Sequence, residues 1–263
     1  MDAIYQRCCG IDVHKKLIVA CLRVGRKEEI RSFGTSTDEI CQMITWLEEN
    51  RCEITAMEST GSFWKPLYNL LELCGLTTIV ANAQHIKNVP GRKTDAKDSQ
   101  WIAELLQHGL LEPSYIPSRD QRELREISRY RKSLTEERAR ELNRLQKVLE
   151  GGNIKLSSVV KDINGTTSRE LLELMLKEGV NETNIDEHLY GSLREKRDEL
   201  LKACKGFLTP LQCRLIRAIL DHIDDMTKRI AEISRIIDDY MHDYEDAVTV
   251  SYTHLRAHET GAY

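Results

Sequence analysis

The chain contains no uninterrupted apolar run of about 18 residues, so no membrane-spanning helix is predicted, and its start, Met1-Asp2-Ala3-Ile4-Tyr5, lacks the charged and apolar regions of a signal peptide. A cytoplasmic protein with no membrane partner is expected. Aromatics are scarce at 6% and prolines number only 5, against 30% charged residues. That balance suits long solvated helices better than an all-β sandwich. Neither sign of charge prevails, with 38 basic and 42 acidic side chains and a net charge of -4. No global field draws the chain onto a polyanion, and any such contact must be local. The 8 cysteines include no CxxC pair. Zinc sites and disulfides are therefore not expected, and reduced core thiols are. The 14 glycines do not gather into a phosphate-cradling loop.

What is present is enough for a real core: 41% apolar residues in a chain of 263, one large domain or two smaller ones. Cys8-Cys9-Gly10-Ile11-Asp12, the polar turn His14-Lys15-Lys16 and Leu17-Ile18-Val19-Ala20-Cys21-Leu22 read as a β-hairpin. Arg31-Ser32-Phe33-Gly34 reads as a third strand, 38–49 as an amphipathic helix, and Ile54-Thr55-Ala56-Met57 as a buried strand ending at Glu58. A helix over 64–74, stopped by Gly75, and a strand over 76–80 complete the alternating part. After Pro90, Gly91 and Arg92, Thr94 is suited to cap a helix running to about Gln107, with Asp95 in its first turn, where the helix dipole favours a carboxylate.

Beyond Pro113 and Pro117 the pattern is helical: a long helix over 119–149, a break at Gly151-Gly152, shorter helices between Ser168 and Cys204, and a second long helix from near Pro210. In the latter, Ile219, Ile223, Met226, Ile230, Ile233, Ile237, Tyr240 and Tyr244 recur in steps of four and three. This is the seam of a coiled coil, and packing on the chain's own long helix or on a second copy gives the same pattern. The expected division is an α/β domain over 1–112, a helical coiled-coil region over 113–250, and a tail over 251–263 whose residues match nothing before them and read as non-native.

Four acids stand out. Asp12 and Glu58 lie in or at the end of predicted strands among apolar neighbours, where a carboxylate is costly unless a cation or a hydrogen-bond donor compensates it. Asp95 and Asp98 are three apart on a predicted helix and share a face. Such a cluster would raise its own pKa values, and hard divalent ions, Mg2+ or Mn2+, would offset the repulsion. Two such ions about 3.5–4 Å apart suit phosphodiester chemistry. Singly, each acid has an ordinary explanation as a turn former, a surface acid or a first-turn helix acid. His14, His85 and His108 are too scattered for zinc spacing, and the pair His254 and His258 has no third ligand in a matching motif.

Gly10-Ile11-Asp12-Val13-His14-Lys15, then Met57-Glu58-Ser59-Thr60-Gly61, then Gly91-Arg92-Lys93-Thr94-Asp95-Ala96-Lys97-Asp98, in that order, resemble the DEDD transposases of insertion-sequence family 110, the bridge-RNA-guided recombinases. The resemblance extends through Ile154-Lys155-Leu156-Ser157-Ser158-Val159 and Leu220-Asp221-His222-Ile223. It implies a RuvC-like, ribonuclease-H α/β fold followed by a long-helix coiled-coil region. It further implies Asp12, Glu58, Asp95 and Asp98 as metal ligands and catalytic residues, DNA and a guide RNA as partners, and a homo-oligomer formed through the helices. A bacterial chain bound to the nucleoid when on DNA would follow. The family's serine-bearing segment has no counterpart here, and Ser251 stands outside any matching motif, so incomplete strand exchange is expected of this polypeptide.

Arg119, Arg122, Arg125 and Arg129 fall along one side of the first long helix and could track a phosphate backbone. Glu123, Glu126, Glu136 and Glu137 make an ordinary salt-bridged helix an equal reading. Arg92, Lys93 and Lys97 flank the acid pair and are the better candidates for phosphate contact. The rival readings are an actin-like phosphotransferase, which should show glycine-rich phosphate loops, a Holliday-junction nuclease with the same four acids, and a non-catalytic coiled-coil fragment.

Overall fold

The computed structural model describes residues 3–59, 61–82, 86 and 98–242. It divides into two compact units, Met1–Arg119 and Asp120–Tyr263.

In the first unit, β1 (Arg7–Val13) and β2 (Ile18–Val24) form the expected antiparallel hairpin, closed by the His14 N–H donating to Leu17 O at 2.8 Å. Gly25, with φ of 59°, turns the chain into β3 (Lys27–Phe33), which pairs antiparallel with β2. The strand begins four residues earlier than the segment Arg31-Ser32-Phe33-Gly34 suggested. Lys27, Glu28 and Glu29 carry no alternation to read, because β3 is an edge strand held by backbone pairing, and charged side chains guard such an edge.

Helix α1 (Thr37–Glu49) starts at a capping box between Ser36 and Glu39. It leads to β4 (Ile54–Glu58), which is parallel to β1. Helix α2 (Trp64–Leu73) ends where Gly75 takes φ of 74° and the Leu76 N–H reaches back to Leu71 O at 3.0 Å. Leu76 is thereby spent on capping the helix. The next strand, β5 (Thr78–Ala81), accordingly begins two residues later than its apolar run implied, parallel to β4. The sheet order is β3-β2-β1-β4-β5.

Alternation along β1 sends Cys9 and Ile11 to one face, with Ile18, Ala20, Leu22 and Met57, against Met43 and Leu47 of α1 and Leu67 and Leu71 of α2. Cys8, Ile54 and Ala56 face the other way, onto Ile102, Leu105 and Leu106 of α3 (Asp98–Gln107). Three antiparallel strands extended by two parallel ones, with helices on both faces, make the RuvC-like, ribonuclease-H α/β fold.

The second unit is built on α4 (Arg119–Gly151) and α7 (Pro210–His242). Arg138 Nη1 donates to Thr227 Oγ1 at 3.3 Å, and Gly151 lies beside Gln212, so the two helices run antiparallel. Between them come a 3-10 turn at Leu156–Ser158, α5 (Thr166–Lys177), two further 3-10 turns at Asp186–His188 and Gly191–Lys196, and α6 (Arg197–Ala203). Ile219, Ile223 and Met226 of the apolar seam enter one core with Leu145, Leu149, Leu171 and Leu200. Ile237 is buried, Ile230, Ile233 and Tyr240 are half-buried, and Tyr244 lies outside the described residues. The chain's own helices thus cover much of the seam. Ile223 is fully enclosed, so Ile223→Ala should cost about 2–5 kcal/mol. A urea melt followed by circular dichroism checks this, and an unchanged midpoint would remove Ile223 from the core.

Candidate functional site

The strand pairing locates two of the acids. Ile11 is the partner of Met57 in the parallel β1 and β4 pair, and the next residues on each strand are Asp12 and Glu58. Both therefore leave neighbouring strands at their C-terminal ends, on the face that carries Cys8, Gly10 and Ala56.

Helix α3 lies on that face, and Gly10 sets how closely. A Cβ at Gly10 would stand 2.2 Å from Ala103 N, 2.3 Å from Ser99 O and 2.8 Å from Ala103 Cα, all backbone atoms. Only glycine fits there. The Cys8 thiol, two residues earlier, approaches Ala103 O at 3.7 Å. Passing from Cys8 to Gly10 to Asp12 therefore moves toward the first residue of the helix, Asp98.

The electrostatics agree. The Asp12 carboxyl is pushed above its ordinary value chiefly by burial; His14 opposes the shift, and the negative charges of Asp98 and, less, Glu58 add to it. His14 Nε2 lies 2.9 Å from Asp12 Oδ2, with Asp12 only 23% exposed. Glu58 and Asp98 each engage neighbours of their own. Asp12 thus feels both Asp98 and Glu58.

Asp95 lies outside the described residues, as do Arg92, Lys93 and Lys97 and the expected Thr94 cap. Among the described residues no three His, Cys, Asp or Glu side chains close to ligand distance around one point. The chemistry of the donors nevertheless fits a hard divalent ion: carboxylate oxygens, one of them made costly by burial and by its acidic neighbours. Arg119, Arg125 and Arg129 are exposed on α4 and Arg122 is half-buried.

The raised Asp12 value has a sign that can be measured. The folded protein holds that proton more tightly than the unfolded chain, which releases it near about 3.9. Stability therefore falls as pH rises from that value through the folded one, and stays lower above it. In a chelator, the melting temperature of Asp12→Asn should lose this component of the pH dependence. A curve identical to that of the unsubstituted chain would mean that Asp12 is not under this pressure.

Sequence reasoning missed two residues here. Gly10 was legible only as an isolated glycine, since the helix it admits comes about ninety residues later. The His14 contact had a signal, its spacing of two from Asp12 at a strand end, which favours the same side.

A transposase family model, that of the DEDD transposases of insertion-sequence type 110, matches residues 9–154, more than half of the chain. The chain belongs to this family. The matched span runs from β1 through α4 and includes all four acids and all seven candidate basic residues, whereas α7 lies beyond it. No curated protein matches the chain. Among solved structures it is similar to "T. thermophilus RuvC in complex with Holliday junction substrate", at 13% identity and a TM-score of 0.30, over 42% of this chain and 100% of that one. So low a score carries no weight for chemistry or substrate, and the strand order is what assigns the fold. Among the described residues, no helix is long and apolar enough to cross a membrane.

Proposed function

We propose that this transposase-family chain carries out metal-dependent phosphodiester chemistry on DNA, with Asp12, Glu58, Asp95 and Asp98 holding one or two Mg2+ or Mn2+ ions. The observation that supports this most is the half-buried Asp12 carboxylate, disfavoured by burial and by Asp98 and Glu58 on the face that Gly10 opens to α3. A divalent ion bound there would polarise a phosphodiester oxygen and supply the charge that an attacking and a leaving oxygen need. The residues themselves do the positioning. β1 and β4 hold Asp12 and Glu58 side by side, the first turn of α3 brings Asp98, and His14 orients Asp12 Oδ2.

Arg92, Lys93 and Lys97, with the α4 arginines Arg119, Arg122, Arg125 and Arg129, are proposed to contact DNA and, following the family resemblance, a guide RNA. Homo-oligomers are proposed to form through the helical region. Replacing Ile230 and Ile233 by Asp should lower either helicity or the mass seen by light scattering; if both are unchanged, these two residues have no packing role.

The test of the main proposal is cleavage of supercoiled and branched DNA by the purified chain in Mg2+ or Mn2+, compared with Asp12→Asn, Glu58→Gln and Asp98→Asn. Loss of cleavage in all three, with folding intact, is expected; cleavage that survives them sinks the assignment. Joined products are not expected from this polypeptide alone with donor DNA, target DNA and guide RNA, because none of its serines stands in the family's serine-bearing motif and no other nucleophile is assigned to hold the broken strand covalently. Joined product that persists in Ser251→Ala and vanishes in Asp12→Ala would show that motif to be dispensable.

A further inference from the structure

A second polar site lies in the other unit, at the start of α5. Its N-cap is Gly165, which is extended at φ -68° and ψ 160° and has no side chain with which to cap the helix. The first bond of the helical ladder runs from the Arg169 N–H to Gly165 O at 2.9 Å. The N–H groups of Thr166, Thr167 and Ser168 come before that ladder and have no acceptor within the helix.

They open on a cavity of about 350 Å3. Ser168 Oγ donates to Asp162 O at 2.7 Å and fastens the loop that precedes the helix. Thr167 is different. It is 5% exposed and lines the cavity, and among the described residues its hydroxyl has no hydrogen-bond partner. Its oxygen keeps some exposure, unlike the fully enclosed Asn164 Oδ1, on a residue that lines the cavity.

A hydroxyl buried this far with no partner in the protein can be met only by what enters the cavity. Lys161 and Lys196 flank the same opening. Asp162 is the one carboxylate in the lining, and its Oδ1 is already engaged by the Asn164 N–H at 2.8 Å. Two cations and the positive end of a 12-residue helix outweigh one acid, so the expected occupant is an anion.

We propose that this cavity binds a single phosphate group, held by the first N–H groups of α5, the Thr167 hydroxyl, and Lys161 and Lys196. A phosphate matches the donors better than a planar carboxylate does, because its oxygens can meet backbone N–H groups, a hydroxyl and two ammonium groups at once. The cavity is open on one side, which leaves room for an ester substituent. Both a small phosphate ester and one phosphate of a nucleic-acid strand have this chemistry.

The test uses the full chain and inorganic phosphate, titrated at constant ionic strength against chloride, with the melting temperature as readout. A saturable rise is expected. The double variant Lys161→Ala/Lys196→Ala, both exposed positions, and separately Thr167→Val should each weaken phosphate binding about tenfold or more, whereas Asp12→Asn should leave it unchanged and so keeps this site apart from the carboxylates. A single strand of about ten nucleotides then distinguishes the sources. Displacement by inorganic phosphate, with weaker binding in the lysine variant, identifies a strand phosphate; an oligonucleotide indifferent to both identifies a small ester. No saturable response to phosphate, or one that the lysine and threonine variants leave unchanged, overturns the proposal.

Discussion

Asp12→Asn is expected to lower Mg2+-dependent DNA cleavage by about a hundredfold or more, the scale on which losing one preorganised electrostatic group at a reacting centre is felt. The substitution keeps the shape of the side chain and removes its charge. Because the Asp12 carboxylate is disfavoured by burial and by Asp98 and Glu58, the same change should raise the melting temperature in chelator at neutral pH and abolish the further rise that Mg2+ gives the unsubstituted chain. Activity and stability thus move in opposite directions, which a merely misfolded variant cannot imitate. Cleavage within a few-fold of the unsubstituted chain, or an undiminished response to Mg2+, would remove Asp12 from the site.

Gly10→Ala is expected to destabilise the first unit by about 3 kcal/mol, the upper end for overpacking by one methyl group. The position is unusually unforgiving. The added carbon would meet Ala103 N at 2.2 Å and Ser99 O at 2.3 Å, and neither backbone atom can turn aside as a flexible side chain would. Relief must come from moving α3 off the sheet, and that carries Asp98 away from Asp12. Urea unfolding and a Mg2+ titration of the melting temperature together check this: the midpoint should fall, and the metal response should weaken even where the protein still folds. A variant with both unchanged would show that the close approach of α3 to β1 is wrong.

Local pattern was readable where burial imposes a period. The hairpin of β1 and β2, the helices α1 and α2, the strand ending at Glu58 and both long helices stand within a few residues of where apolar spacing put them. The misjudged boundaries have local causes. The first half of β3 is charged and paired by backbone alone, and Leu76 caps α2 before β5 begins. Between Ser168 and Cys204 the expected short helices are α5 and α6 separated by two 3-10 turns, and they supply Leu171, Leu172, Leu200 and Leu201 to the core shared with the long helices.

By itself the sequence determined the acids, their order along the chain, the alternating first part and the helical second, because these follow from residue type and from periods of two and of three to four. Only the tertiary structure decided three things. The sheet register brought Asp12 beside Glu58, which are 46 positions apart in the sequence. The missing side chain of Gly10 let α3 carry Asp98 onto the same face. The antiparallel packing of α4 and α7 buried Ile219, Ile223 and Met226 of the seam within the chain itself. The reason is the same in each case: these outcomes depend on which distant segment occupies a neighbouring position in space, and no local period records that.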